Sequence, residues 1–141
     1  HRADIKVTSL IANGMIKNQA LANGYDDAIM IRGDKVTEGT ASNVFIVVNG
    51  EILTPPKSNW LLHGITRDEM ILAAAETGLS LREEDFDEGQ LCSASEVWLS
   101  STGLELMPVG EVNDQRIGDG LPGPIWRRVF EGFQARKRIS D

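Results

Sequence analysis

Apolar positions change their spacing several times along the chain, and each spacing points to an element. Over residues 9–23, Leu10, Ile11, Met15, Ile16, Ala20 and Leu21 recur at three- and four-residue steps. That predicts a helix ended by Asn23-Gly24, despite Gly14. Short apolar runs over 28–32, 44–48 and 52–54 predict strands. Asn49-Gly50 predicts a tight hairpin between the last two, and Pro55-Pro56 closes the second because neither proline can donate to a ladder.

The clearest helix covers 66–77, with Met70, Ile71, Ala74 and Ala75 on one face and Gly78 past its end. Its opening, Thr66-Arg67-Asp68-Glu69, has the spacing of a capping box with Thr66 as N-cap. Further on, 79–83 reads as a strand, 88–92 as a helical turn and 96–99 as a buried strand. Strands at 104–112 and 116–117 flank an Asn113-Asp114 turn, and an amphipathic helix over 125–136 carries Trp126, Val129, Phe130 and Phe133. Strands mixed with helices, without strict alternation, indicate an α/β or α+β domain with a mixed sheet.

Composition narrows the partners. With 21 carboxylates against 14 Lys and Arg, the 141 residues carry a net charge of -7, which repels phosphate backbones and argues against nucleic acid. The single cysteine, Cys92, offers neither an internal disulfide nor a thiolate cluster for a metal, which suits a reducing cytoplasm. No apolar run approaches the roughly 20 residues that span a bilayer, so no membrane partner is expected. The chain opens at His1 and enters Asp4-Ile5-Lys6 without a polar linker, and the expectation is a fragment of a longer protein.

Four stretches are more specific than a core requires: Arg2-Ala3-Asp4-Ile5-Lys6, Glu38-Gly39-Thr40-Ala41-Ser42-Asn43, Leu62-His63-Gly64-Ile65-Thr66-Arg67 and Ser100-Ser101-Thr102-Gly103. Singly, each has a plain explanation. Lys6 and Arg2 suit the surface, Glu38-Gly39 a turn between strands, Thr66 a helix cap, and residues 100–103 a polar loop. His1 and His63 have no partner pattern.

Taken in order, these stretches resemble the C-terminal, lysine-bearing part of the class IV, fold type IV pyridoxal-phosphate aminotransferases, from Arg2 to about Gly123. The wording is most similar to the D-amino acid (D-alanine) group, with branched-chain aminotransferases and aminodeoxychorismate lyases as neighbours. The resemblance implies an α/β fold whose mixed sheet is partly closed into a barrel with flanking helices. It also implies that residues 1–141 form the cofactor-binding domain, with the family's smaller N-terminal domain outside this chain.

Under that resemblance, Lys6 forms the Schiff base with pyridoxal 5'-phosphate and moves the substrate α-proton. Glu38 keeps the pyridine nitrogen protonated, and Leu62 packs on the ring. Gly64, Ile65 and Thr66 hold the phosphate at a helix start, and Ser101 and Thr102 complete the cup from the opposite loop. Ser42 and Asn43 steady the loop carrying Glu38, while Arg67 is as well explained by structure as by function. Donors rather than net positive charge hold the phosphate, so an acidic chain is no obstacle. Amino acid and 2-oxo acid substrates and a homodimer follow from the same likeness. Alternatives are branched-chain transamination, aminodeoxychorismate lysis, or a folded but inert fragment.

Overall fold

The computed structural model describes residues 3–9, 13–57, 64–101 and 105–140. In chain order the elements are β1 (Ala3–Ser9), α1 (Asn13–Ala22), β2 (Asp27–Arg32), β3 (Lys35–Gly39), β4 (Asn43–Val48) and β5 (Glu51–Thr54). They continue as α2 (Ile65–Glu76), β6 (Leu81–Glu83), α3 (Glu88–Ser93), β7 (Glu96–Ser101), β8 (Glu105–Val112), β9 (Gln115–Arg116) and α4 (Pro124–Ser140).

The strands form one sheet in the order β3-β2-β1-β8-β7-β4-β5-β6, with β9 on β8. β1 lies parallel to both β2 and β8, and β5 parallel to β6, while the other pairs are antiparallel. This is the mixed sheet expected. It curls until its ends meet: the Val36 amide of β3 donates to the Phe86 carbonyl just past β6 at 2.9 Å, and Lys35 pairs with Asp85 at 3.2 Å. The partly closed barrel is therefore present, and the α/β class with it.

Curling divides the core. Ile5, Ile29, Val36, Val44, Ile46, Leu53, Leu99 and Val112 fill the concave side. Phe45, Val47, Ile52, Trp98 and Leu106 cover the other side under α2 and α4. Successive residues of β4 thus alternate between two apolar layers, which is why its sequence reads as an unbroken apolar run. Phe45 stacks on Trp98 with centroids 5.9 Å apart, and the indole N–H meets the Met70 sulfur at 3.4 Å. A third cluster seats Ile16 and Ala20 of α1 on Ala28 and Met30 of β2.

Asn49 and Gly50 turn the β4–β5 hairpin with φ of 51° and 80°, as the dipeptide predicts. The expected face of α4 is correct: Val129 and Phe133 are buried, with Trp126 and Phe130 packed beside them. On α2 the buried face is Arg67, Met70, Ala73 and Ala74, so Ala75 turns outward, contrary to the sequence expectation.

Two other readings need correction. Helix α2 starts at Ile65 with Gly64 as its N-cap, a residue with no side chain to cap with, so Thr66 is its second residue rather than its cap. The capping box lies instead at α3. There the Asp87 carboxylate accepts from the Gln90 amide at 2.8 Å, and the Gln90 side chain accepts from the Asp87 amide at 3.1 Å. Glu38-Gly39 is likewise the buried end of strand β3 rather than a bare turn. The pattern gave little warning of β3, because only Val36 in Lys35–Gly39 is strongly apolar.

Candidate active site

Strand β1 carries Lys6 with its backbone paired to Ala28 of β2, and β3 lies on the other side of β2. The backbones at Lys6 and Glu38 are therefore two strand spacings apart across the sheet, about 10 Å. The Lys6 side chain, Arg2, Leu62 and Thr102 lie outside the described residues.

Glu38 is only 9% exposed. The chain must turn within three residues from β3 into β4, and it does so through the Gly39 amide, which donates to the Ser42 carbonyl at 2.9 Å. A side chain on Gly39 would collide with the Ser42 hydroxyl, so glycine is required for the close approach. The Ser42 carbonyl closes this loop on Gly39.

Asn43 opens β4 and pairs with Ser100 on β7, one residue before Ser101. A Cβ on Gly64 would lie 2.8 Å from the Asn43 side-chain oxygen. The start of β4, the end of β7 and the N-terminus of α2 therefore converge, and they bring Gly64, Ile65 and Thr66 to the same rim as Ser101. Ile65 is 79% exposed. The first amides of a helix have no intrahelical partner, and Gly64 brings no side chain to them, which is the arrangement that suits an anion.

Two buried hydroxyls at this rim, those of Ser42 and Ser100, have no hydrogen-bond partner among the described residues. Buried orphans of this kind cost stability and call for a partner, such as an ordered water or a bound ligand. The sequence placed Ser100 in the fourth stretch but gave it no role, because nothing local separates it from its neighbour Ser101.

Arg67 is 1% exposed and donates to the Pro55 carbonyl at 3.0 Å and to Glu83 at 2.7 Å, which fixes the α2 start against β5 and β6. Its Nε has no partner. The structural half of the reading of Arg67 is thus realised. Near the start of β1, hydrogen bonding to Asp114, and then burial, raise the Tyr25 pKa above 10.0. The Cys92 thiol is pushed up by burial and then by Glu88, which keeps it protonated at neutral pH, the opposite of what a nucleophile needs. No helix among the described residues is long and apolar enough to cross a membrane.

Comparison with known proteins follows the same geometry. The family model for class IV amino-transferases matches residues 1–112. The D-alanine aminotransferase of Staphylococcus haemolyticus is 39% identical over 132 residues, 94% of this chain and 47% of that protein. That of Bacillus licheniformis is 39% identical over 133 residues, with the same coverage. The chain thus spans about half the length of the curated relatives it matches. Among solved structures, the branched-chain amino acid aminotransferase of Escherichia coli superposes with a TM-score of 0.90 at 29% identity, covering 95% of this chain and 52% of that one. The holo-form enzyme from Thermobaculum terrenum gives 0.91 at 27%, covering 100% and 52%. Family match, barrel topology and ordered motifs agree, and the chain belongs to the class IV aminotransferase family.

Proposed function

We propose that the protein serves pyridoxal-phosphate-dependent transamination, in which a D-amino acid, D-alanine foremost, gives its nitrogen to a 2-oxo acid. The observation that carries this reading is the rim itself: a helix start with glycine at its N-cap, the end of β7 and the loop after Glu38 converge beside buried hydroxyls without a partner among the described residues. Pyridoxal phosphate, the cofactor of the family, supplies an electron sink for the charge left when the substrate α-proton departs.

The chain's own residues divide the remaining work. The Lys6 amine would hold the cofactor through its aldehyde and, when freed, would carry the substrate α-proton. The Glu38 carboxylate would hold a proton at the pyridine nitrogen. Ile65 and Thr66 present backbone amides to the phosphate, with Gly64 allowing close approach. Thr66, relieved of capping, has its hydroxyl to donate as well. Ser101 and Thr102 would add hydroxyls to the phosphate, and Leu62 would supply an apolar contact to the ring. The homodimer expected from the resemblance belongs to the same proposal.

Identity to the D-alanine enzymes, 39%, exceeds the 29% to the branched-chain structure, which favours the D-amino acid substrate. The test adds pyridoxal phosphate, reduces with borohydride and maps the modified peptide. The adduct is expected on Lys6, and one on another residue overturns the assignment. With D-alanine and 2-oxoglutarate the expected product is pyruvate. Turnover of L-leucine instead selects the branched-chain reading, and pyruvate from aminodeoxychorismate without a 2-oxo acid selects the lyase.

A further inference from the structure

Asp27 opens β2 and is only 4% exposed, yet nothing in the proposed chemistry uses it. A buried carboxylate needs partners, and this one is well supplied. Its Oδ1 accepts from the Thr40 hydroxyl at 2.6 Å and from the Ala28 amide at 2.8 Å, and its Oδ2 lies 3.6 Å from the Lys17 ammonium on α1. The Thr40 contact has the short length of a charge-assisted hydrogen bond.

The two ends of this contact sit at informative places. Thr40 is two residues past Glu38, in the turn that the Gly39 amide closes on Ser42. Asp27 pairs in register with Ile5, the residue before Lys6, and Ala28 pairs with Lys6. Upstream of Glu38, the Thr37 hydroxyl donates to the Met30 carbonyl on the same strand β2 at 3.2 Å. Glu38 is thus bracketed by side-chain bonds to β2 on both sides.

We infer that Asp27 and Thr40 are positioning residues that set the angle and depth of the Glu38 carboxylate relative to Lys6 through strand β2. The inference rests on the proposed role of Glu38 at the cofactor nitrogen. A carboxylate meant to bond a single ring nitrogen works only over a narrow range of geometry, and a four-residue connection without such ties lets it drift.

The experiment titrates pyridoxal phosphate into the protein, reading its visible absorption and dissociation constant, and follows unfolding separately. Thr40→Val keeps the shape of the side chain and removes the donor; it is expected to weaken cofactor binding about tenfold, the scale of one charge-assisted bond. Thr40→Ser is expected to restore it. In a Glu38→Gln background Thr40→Val should then cause no further loss, because both act through one carboxylate.

Equal losses in both backgrounds, or no loss in either, overturn the inference while leaving the role of Glu38 intact. If Glu38→Gln itself binds as the parent does, or the parent binds no cofactor, both readings fall together. Should Thr40→Val not fold, Asp27→Asn retains an acceptor for Thr40 and Ala28 and removes the charge. It is expected to weaken binding in the Glu38 protein and not in Glu38→Gln, and equal effects in the two overturn the inference.

Discussion

From Phe45 to Val47, β4 is buried among apolar side chains on both faces, with Ile46 in the barrel interior and Phe45 stacked on Trp98. A few residues earlier the same depth of burial holds Ser42, Asn43 and their neighbour Ser100, all no more than 2% exposed. Burial of the first kind stabilises by about 25 cal/mol per Å². Burial of the second kind, with two hydroxyls unpartnered, costs about 1–3 kcal/mol for each orphaned group. One strand therefore joins a region built for stability to one that gives stability up, a cost that a bound ligand or an ordered water would offset by supplying the missing partners.

The largest expected effect lies at the dry end. Trp98→Ala empties a fully buried site and should cost about 3–5 kcal/mol in urea unfolding. A loss below 1 kcal/mol would erase the contrast. Next comes Gly64→Ala, whose methyl group meets the Asn43 oxygen. It should cost about 1–3 kcal/mol and also weaken pyridoxal phosphate binding measured by absorbance. Asp87→Ala removes a satisfied polar contact away from the rim, at the α3 cap. About 1 kcal/mol should be lost in denaturant titration with cofactor binding unchanged, so polarity alone is separated from polarity awaiting a ligand.

Ser100→Ala sharpens the comparison most although its effect on stability is the smallest of the mutations. Removing an orphaned hydroxyl should leave the unfolding midpoint unchanged or slightly higher, while cofactor affinity falls; a clear drop in stability would mean that the hydroxyl has a partner in the free protein. Last is a titration without a stability figure. Tyr25 is the single tyrosine, so absorbance near 295 nm reports it alone, with a midpoint above 10.0. Because the folded value is raised, its contribution to stability is present below the unfolded pKa and fades as pH climbs through the folded one. Asp114→Asn should return the midpoint toward 10.0.

How much of this was legible beforehand depends on which residues carried the information. The hairpin at Asn49-Gly50 and the face of α4 were readable because local chemistry determines them. Strand β3 was hidden: Thr37, Glu38 and Gly39 are buried by a sheet that closes only through partners distant in sequence. The cap of α2 was misread for a related reason. Thr66 to Glu69 has the right spacing, but the cap falls two residues earlier, at Gly64 seated against Asn43, and the helix starts at Ile65. Within the site, the order of the motifs pointed to Glu38, Gly64 and Ser101. No spacing rule could join Asp27 to Thr40, 13 positions apart, since their bond exists only once β2 lies beside the loop after β3.

The meeting of Val36 with Phe86, and of Lys35 with Asp85, does more than complete a shape. Outermost strands ordinarily offer a row of unused amides and carbonyls on which another chain can grow a strand. Here the two outermost strands turn toward each other, and a charged pair stands where a foreign strand would dock. The curl that closes the barrel thereby also guards the protein against sheet-to-sheet aggregation.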